Sequence, residues 1–119
     1  AELQSLISYD RNHLDLLSLQ WLDFFSASNY TLEYSHVLNT TENRGDISIN
    51  IDSKNLSFSE GTGAILKLDF IVTSSSASSS TLSILQDNIL VKGYSPNSGN
   101  EYLFDIDYWT IIETLIINL

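Results

Sequence analysis

The sequence predicts an all-β fold, a two-sheet antiparallel β-sandwich forming one domain over residues 1–119. Three observations lead there. Apolar residues recur with period two rather than 3.6. Ser, Thr, Asn and β-branched residues dominate, and runs of alternation are separated by turn residues at short spacing. With 119 residues, of which 43% are hydrophobic and 17% charged, the chain can bury a core without disulfides and lies outside the disordered range.

The elements follow in order. Ala1–Tyr9 is a first strand, closed by Tyr9-Asp10-Arg11-Asn12, where Asp and Asn favour a turn by bonding nearby amides. Leu14–Leu22 is a second, with Leu14 and Leu16 on one face and Asp15 and Leu17 on the other. Trp21, Phe24 and Phe25 cover an edge of the core where it ends. Tyr30–Leu38 is a third. Asn43-Arg44-Gly45 makes a turn into Asp46–Asp52, whose isoleucines alternate with polar residues as a half-buried antiparallel strand requires.

Gly61-Thr62-Gly63 breaks the chain before a fifth strand, which sets Ala64, Leu66, Leu68, Phe70 and Val72 against Lys67 and Asp69. Thr73–Ser80 is a Ser-rich tract expected to form a flexible polar loop. Leu82–Lys92 is a sixth strand bulged at Gln86-Asp87-Asn88, and Gly93–Asn100 a long turn. The final segment, Tyr102–Leu119, is rich in Tyr, Ile, Leu and Trp.

Charge narrows the function. Fifteen Asp and Glu against five Lys and Arg give a net charge of -10, which repels phosphate backbones and anionic membrane surfaces. No nucleic-acid partner is expected. No run of about 18 apolar residues exists, so no membrane insertion is expected either. The complementary partner is a basic protein or one loaded with Ca²⁺. Cys and Met are absent, which removes thiolate metal sites, thiol nucleophiles and disulfides. Few lysines with many Ser, Thr and Asn suit an exported surface module of bacteria or archaea, hence an extracellular or cell-surface location. The opening Ala1-Glu2 has no signal-like flank, so an export signal would lie outside this sequence.

The order of these features carries a family resemblance. Ile7-Ser8-Tyr9-Asp10-Arg11-Asn12-His13-Leu14 resembles the YDPxxL segment of cohesin domains, with Arg11 in place of the usual Pro. Gly45–Ser53 resembles the following Gly-led strand, Gly61–Val72 the GxGxLxxxxFxV strand, and Leu82–Gly93 the next strand and turn. The resemblance implies a jelly-roll sandwich of about nine strands that holds a Ca²⁺-loaded dockerin-type module on one sheet face. It assigns that face to Leu14–Leu22, Tyr30–Leu38, Asp46–Asp52 and Leu82–Lys92. The family's first strand, which pairs with its last, has no counterpart here. Tyr108–Leu119 is therefore expected either to fold back onto the vacant edge or to pair with a second copy as a homodimer.

On this reading the partner-binding residues are Asp15, Leu17, Glu33, Ser35, Ser48, Asn50, Asp52, Ser83 and Leu85, an exposed leucine pair among acids and amides. The competing reading is an ordinary solvated sheet face. No cofactor and no catalysis are expected. His13 and His36 lack metal-ligand spacing and read as hydrogen-bonded structural histidines. A Ser-His-Asp set has no nucleophile elbow beside it. Carboxylate pairs about 5 to 10 Å apart, as glycoside hydrolysis needs, arise by chance in so acidic a chain. Glu101, Asp105 and Asp107 lack the ligand order of a Ca²⁺ loop. Arg44-Gly45-Asp46 spells an integrin-type tripeptide already explained by turn and strand. The Asn29, Asn39 and Asn55 acceptor patterns for glycosylation are expected by chance.

Two further functions stay open. One is a structural or adhesive spacer of a large surface protein. The other is a carbohydrate-binding module, for which Tyr30, Tyr34, Tyr94 and Tyr102 are the candidate stacking rings.

Overall fold

The computed structural model describes residues 2–54 and 63–84 with their side chains, and 90–94, 101–103 and 114–118 as strands. The described residues are all-β, with no helix, in two antiparallel sheets. The strands are β1 (Glu2–Asp10), β2 (Leu14–Trp21), β3 (Tyr30–Asn39), β4 (Arg44–Ser53), β5 (Leu66–Val72), β6 (Ser79–Ile84), β7 (Leu90–Tyr94), β8 (Glu101–Leu103) and β9 (Thr114–Asn118). The larger sheet runs β3-β4-β1-β6-β9, with β7 also on β1 and β8 on β7; β2 and β5 form the smaller one.

Alternation in β4 explains why β1 and β3 flank it. Ile47, Ile49 and Ile51 point into the core, and their cross-strand partners Ile7, Ser5 and Leu3 on β1 share that side. Ile47 and Ile51 are fully buried. Each such side chain contributes roughly 1.5–3 kcal/mol through removal from water. Ile7, Tyr9, Leu14, Ile47 and Ile49 form the main cluster, against which Leu16, Leu19 and Trp21 of β2 and Leu66, Leu68 and Phe70 of β5 pack from the other sheet. A second cluster, Phe25, Tyr30 and Ile51 with Trp21 and Phe24, closes one end; the Phe25 and Tyr30 rings lie 4.8 Å apart.

β2 carries an irregularity. Leu16 faces Phe70 while Ser18 faces Asp69, so Leu17 is left unpaired as a bulge. The bulge returns Leu19 and Trp21 to the core after Leu14 and Leu16, and puts Leu17 in solvent at 64% exposure.

Several expectations need correction. Arg44 and Gly45 belong to β4, and the turn before them ends at Asn43, in the left-handed region at φ 51°. An Asn side chain tolerates that region, and Asn43 also donates to Asn12 Oδ1 across the neighbouring turn. The Ser tract is shorter than its composition suggests, because Ser79 and Ser80 enter β6. Ser80 is buried, its hydroxyl 3.1 Å from His13 Nδ1. Leu82–Lys92 is two strands: β6 pairs with the second half of β1 and β7 with its first half, and the register breaks between Ile84 and Leu90. The bulge expected at Gln86-Asp87-Asn88 lies outside the described residues. β5 starts at Leu66 rather than Ala64, and Val72 is half exposed at its end.

β9 pairs with β6 of its own chain, Leu115 opposite Leu82 and Ile117 opposite Ser80. The rest of the final segment, residues 108–113 and 119, lies outside the described residues.

Candidate functional site

The outward face of the larger sheet gathers most of the predicted site. Because opposite residues of antiparallel strands point to the same side, the register sets out rows across β3, β4 and β1. They are Thr31-Asp52-Glu2, Glu33-Asn50-Gln4, Ser35-Ser48-Leu6 and Val37-Asp46-Ser8, the last continuing to Ser83 of β6. Glu33, Ser35, Ser48, Asn50, Asp52 and Ser83 thus share one face.

Asp15 and Leu17 do not. They lie on β2, in the smaller sheet across the core, so the strand expected to supply part of the binding face is replaced there by β1. The reason is the turn at Arg11–His13, which carries the chain from one layer to the other. Alternation along β2 marks which residues are buried without saying which sheet they join. Asp15 is moreover engaged, with Oδ1 3.3 Å from the Tyr9 hydroxyl and 4.0 Å from Arg11 Nε. Leu85 lies outside the described residues.

The face has relief. Small Ser35 and Ser48 sit side by side between longer neighbours, leaving a shallow trough of about 390 Å³ lined by Gln4, Leu6, Glu33, Ser35, Ser48 and Asn50. Gln4 and Leu6 were not anticipated from sequence, since β1 was not assigned to this face. The alternation of Glu2, Gln4, Leu6 and Ser8 along β1 was the available signal. In the trough, Asn50 Oδ1 is buried without a hydrogen-bonding partner among the described residues. An unmet buried acceptor costs about 1–3 kcal/mol.

The charges on the face differ in availability. Asp46 is tied down, accepting from Ser8 Oγ and from Arg44 Nε at 3.1 and 3.2 Å. Arg44 also pairs with Glu42. With Gly45 buried beneath the Tyr9 ring between them, Arg44-Gly45-Asp46 is strand, bonded to itself rather than displayed. Glu33 and Asp52 make no ion pair among the described residues.

Beneath the face, Tyr9 spans the core. Its ring packs edge-on against Phe70 with centroids 5.1 Å apart, and its hydroxyl lies 2.7 Å from His36 Nε2. The Leu16 amide donates to the same oxygen at 3.3 Å. Burial pushes the Tyr9 phenol above its ordinary range, with the nearby Asp15 charge acting in the same direction and the Leu16 amide opposing.

Other sequence candidates resolve on geometry. Asp10, His13 and Ser80 do meet, but the Asp10 carboxylate at 3.5 Å and the Ser80 hydroxyl at 3.1 Å approach the same His13 nitrogen, and Ser80 is 4% exposed. A relay needs one partner on each ring nitrogen and an accessible hydroxyl. Among the described residues no three His, Asp or Glu side chains gather around a common point for a metal. Of the four tyrosines considered for sugar stacking, Tyr30 is buried in the aromatic cluster and Tyr34 is 51% exposed. The side chains of Tyr94, Glu101 and Tyr102 lie outside the described residues, as do Asn55, Asp105 and Asp107 altogether. No protein-family model, no curated protein and no solved structure matches the chain.

Proposed function

We propose that the chain is a non-catalytic protein-binding module of cohesin type, which holds a Ca²⁺-loaded dockerin-type partner on the outward face of β3, β4 and β1, outside the cell. The jelly-roll topology of that family is part of the proposal.

The observation that carries the reading is the trough itself. It combines an apolar side chain, Leu6, with the hydroxyls of Ser35 and Ser48 and the amides of Gln4 and Asn50. Apolar anchors within a polar surround are the composition of protein interfaces. The strands that bear it are backed by Ile47, Ile49 and Ile51, so the face is held in shape before a partner arrives, which lowers the ordering cost of binding. Glu33 and Asp52, which make no ion pair among the described residues, favour a partner with a basic rim. The order of the Tyr9-Asp10, Gly45–Ser53 and Gly61–Val72 motifs supports the same reading.

A panel of purified dockerin modules, assayed by calorimetry in Ca²⁺ and in chelator, tests this. Expected is a complex with at least one module that chelator abolishes and that Ser48→Trp, which fills the trough, weakens at least tenfold. Binding to none of the panel, or binding indifferent to Ser48→Trp, overturns it. Retention on insoluble polysaccharide in place of dockerin binding would assign the chain to sugar recognition.

A further inference from the structure

We infer that β3 is a self-association edge, through which two copies of this chain pair antiparallel and join their larger sheets into one. The inference is independent of the dockerin reading.

β3 is the outermost strand of the larger sheet, and among the described residues only β4 pairs with it. It runs ten residues, Tyr30–Asn39, without a proline, a lysine or an arginine, and Glu33 is its one charge. Natural edge strands are usually protected by such residues, by bulges or by being short. Strand β3 pairs with β4 without a register shift, whereas β5, at the edge of the smaller sheet, carries Lys67 and Asp69. Tyr34, Val37 and Leu38 stand 51%, 58% and 45% exposed on this one strand.

The second copy is singled out by self-complementarity. In an antiparallel pair, residues of the same face must oppose each other, so a two-fold register has to centre on a residue. Centred on Ser35, it sets Leu38 against the partner's Leu32, Tyr34 against the partner's His36, and Glu33 against the partner's Val37. The half-exposed apolar side chains on the core side are then covered, and the two Glu33 carboxylates do not face each other.

Sedimentation equilibrium on the full chain tests the inference. Expected is a concentration-dependent rise toward twice the 13.3 kDa of one chain. Tyr34→Lys, which places a charge on an already exposed edge position, should return the chain to monomer with its far-ultraviolet spectrum unchanged. A monomer at millimolar concentration overturns the inference. So does a dimer that Tyr34→Lys leaves intact, which would place the contact elsewhere, such as at β9.

Discussion

The ring of Tyr9 lies over Gly45, its cross-strand partner, so closely that a β-carbon on Gly45 would occupy the space of the ring. A large aromatic and a residue without a side chain thus share one pair position between β1 and β4. The glycine is needed for space, which is a different requirement from a turn.

Gly45→Ala should destabilise the domain by about 1–3 kcal/mol, the usual cost of forcing atoms into a packed core. The Tyr9 ring cannot retreat without breaking contact with Phe70 and His36. Urea unfolding with unchanged slope and a lower midpoint is expected. An unchanged midpoint would mean that the ring has room to move.

Tyr9→Phe keeps the ring and removes the hydroxyl that joins His36 to Leu16. A loss of about 0.5–1.5 kcal/mol is expected for hydrogen bonds of this kind. The alkaline limb should change too. The folded phenol titrates above its unfolded value of about 10, so the folded chain keeps this proton more tightly than the unfolded chain. Its contribution is complete below that pH and is lost as pH rises through the raised folded value. Urea midpoints between pH 8 and 11 should therefore fall less steeply in Tyr9→Phe than in the unaltered chain. Parallel curves would rule out Tyr9 as a source of the alkaline loss.

Asn43 separates backbone from side chain. Asn43→Ala places an alanine at φ 51° and deletes the 2.6 Å bond to Asn12, and should cost about 1–2 kcal/mol. Asn43→Gly deletes the same bond and relieves the backbone, so it should cost less. Thermal melts of the two variants give the comparison, and a glycine variant less stable than the alanine one contradicts this account.

The two sheets make opposite predictions for binding. Leu17→Lys alters an exposed bulge on β2 and should leave affinity for a dockerin-type partner within about twofold. Leu6→Lys, on the outward face of β1, should reduce it at least tenfold, as loss of an interface anchor does. Surface plasmon resonance on both variants decides between the faces, and the reverse ranking would return the site to β2.

How far the sequence foretold this arrangement depends on what alternation encodes. The isoleucines of β4 and the leucines of β5 announced strands and inward faces, and β1 to β5 lie close to where they were read. Alternation says nothing of which neighbour a strand chooses, and it was the family resemblance that placed β2 on the face that β1 occupies. Ser80 escaped notice for a related reason. A serine in a serine tract looks solvated, and its burial depends on His13, distant in sequence. The bulge at Leu17 was equally hidden, since Leu16, Leu17 and Leu19 are all apolar and the run has no strict period to break.

The unequal sizes of the sheets have a consequence for exchange of backbone protons with solvent. Strand β4 is held on both sides, by β1 and β3 over its whole length, and should open only when the domain unfolds. Strands β2 and β5 have only each other among the described residues and can part while the larger sheet stays intact. Deuterium should therefore enter β2 and β5 on a faster clock than β4. The outward face of β4 is carried by the slower of the two, so its shape outlasts the breathing of the layer behind it.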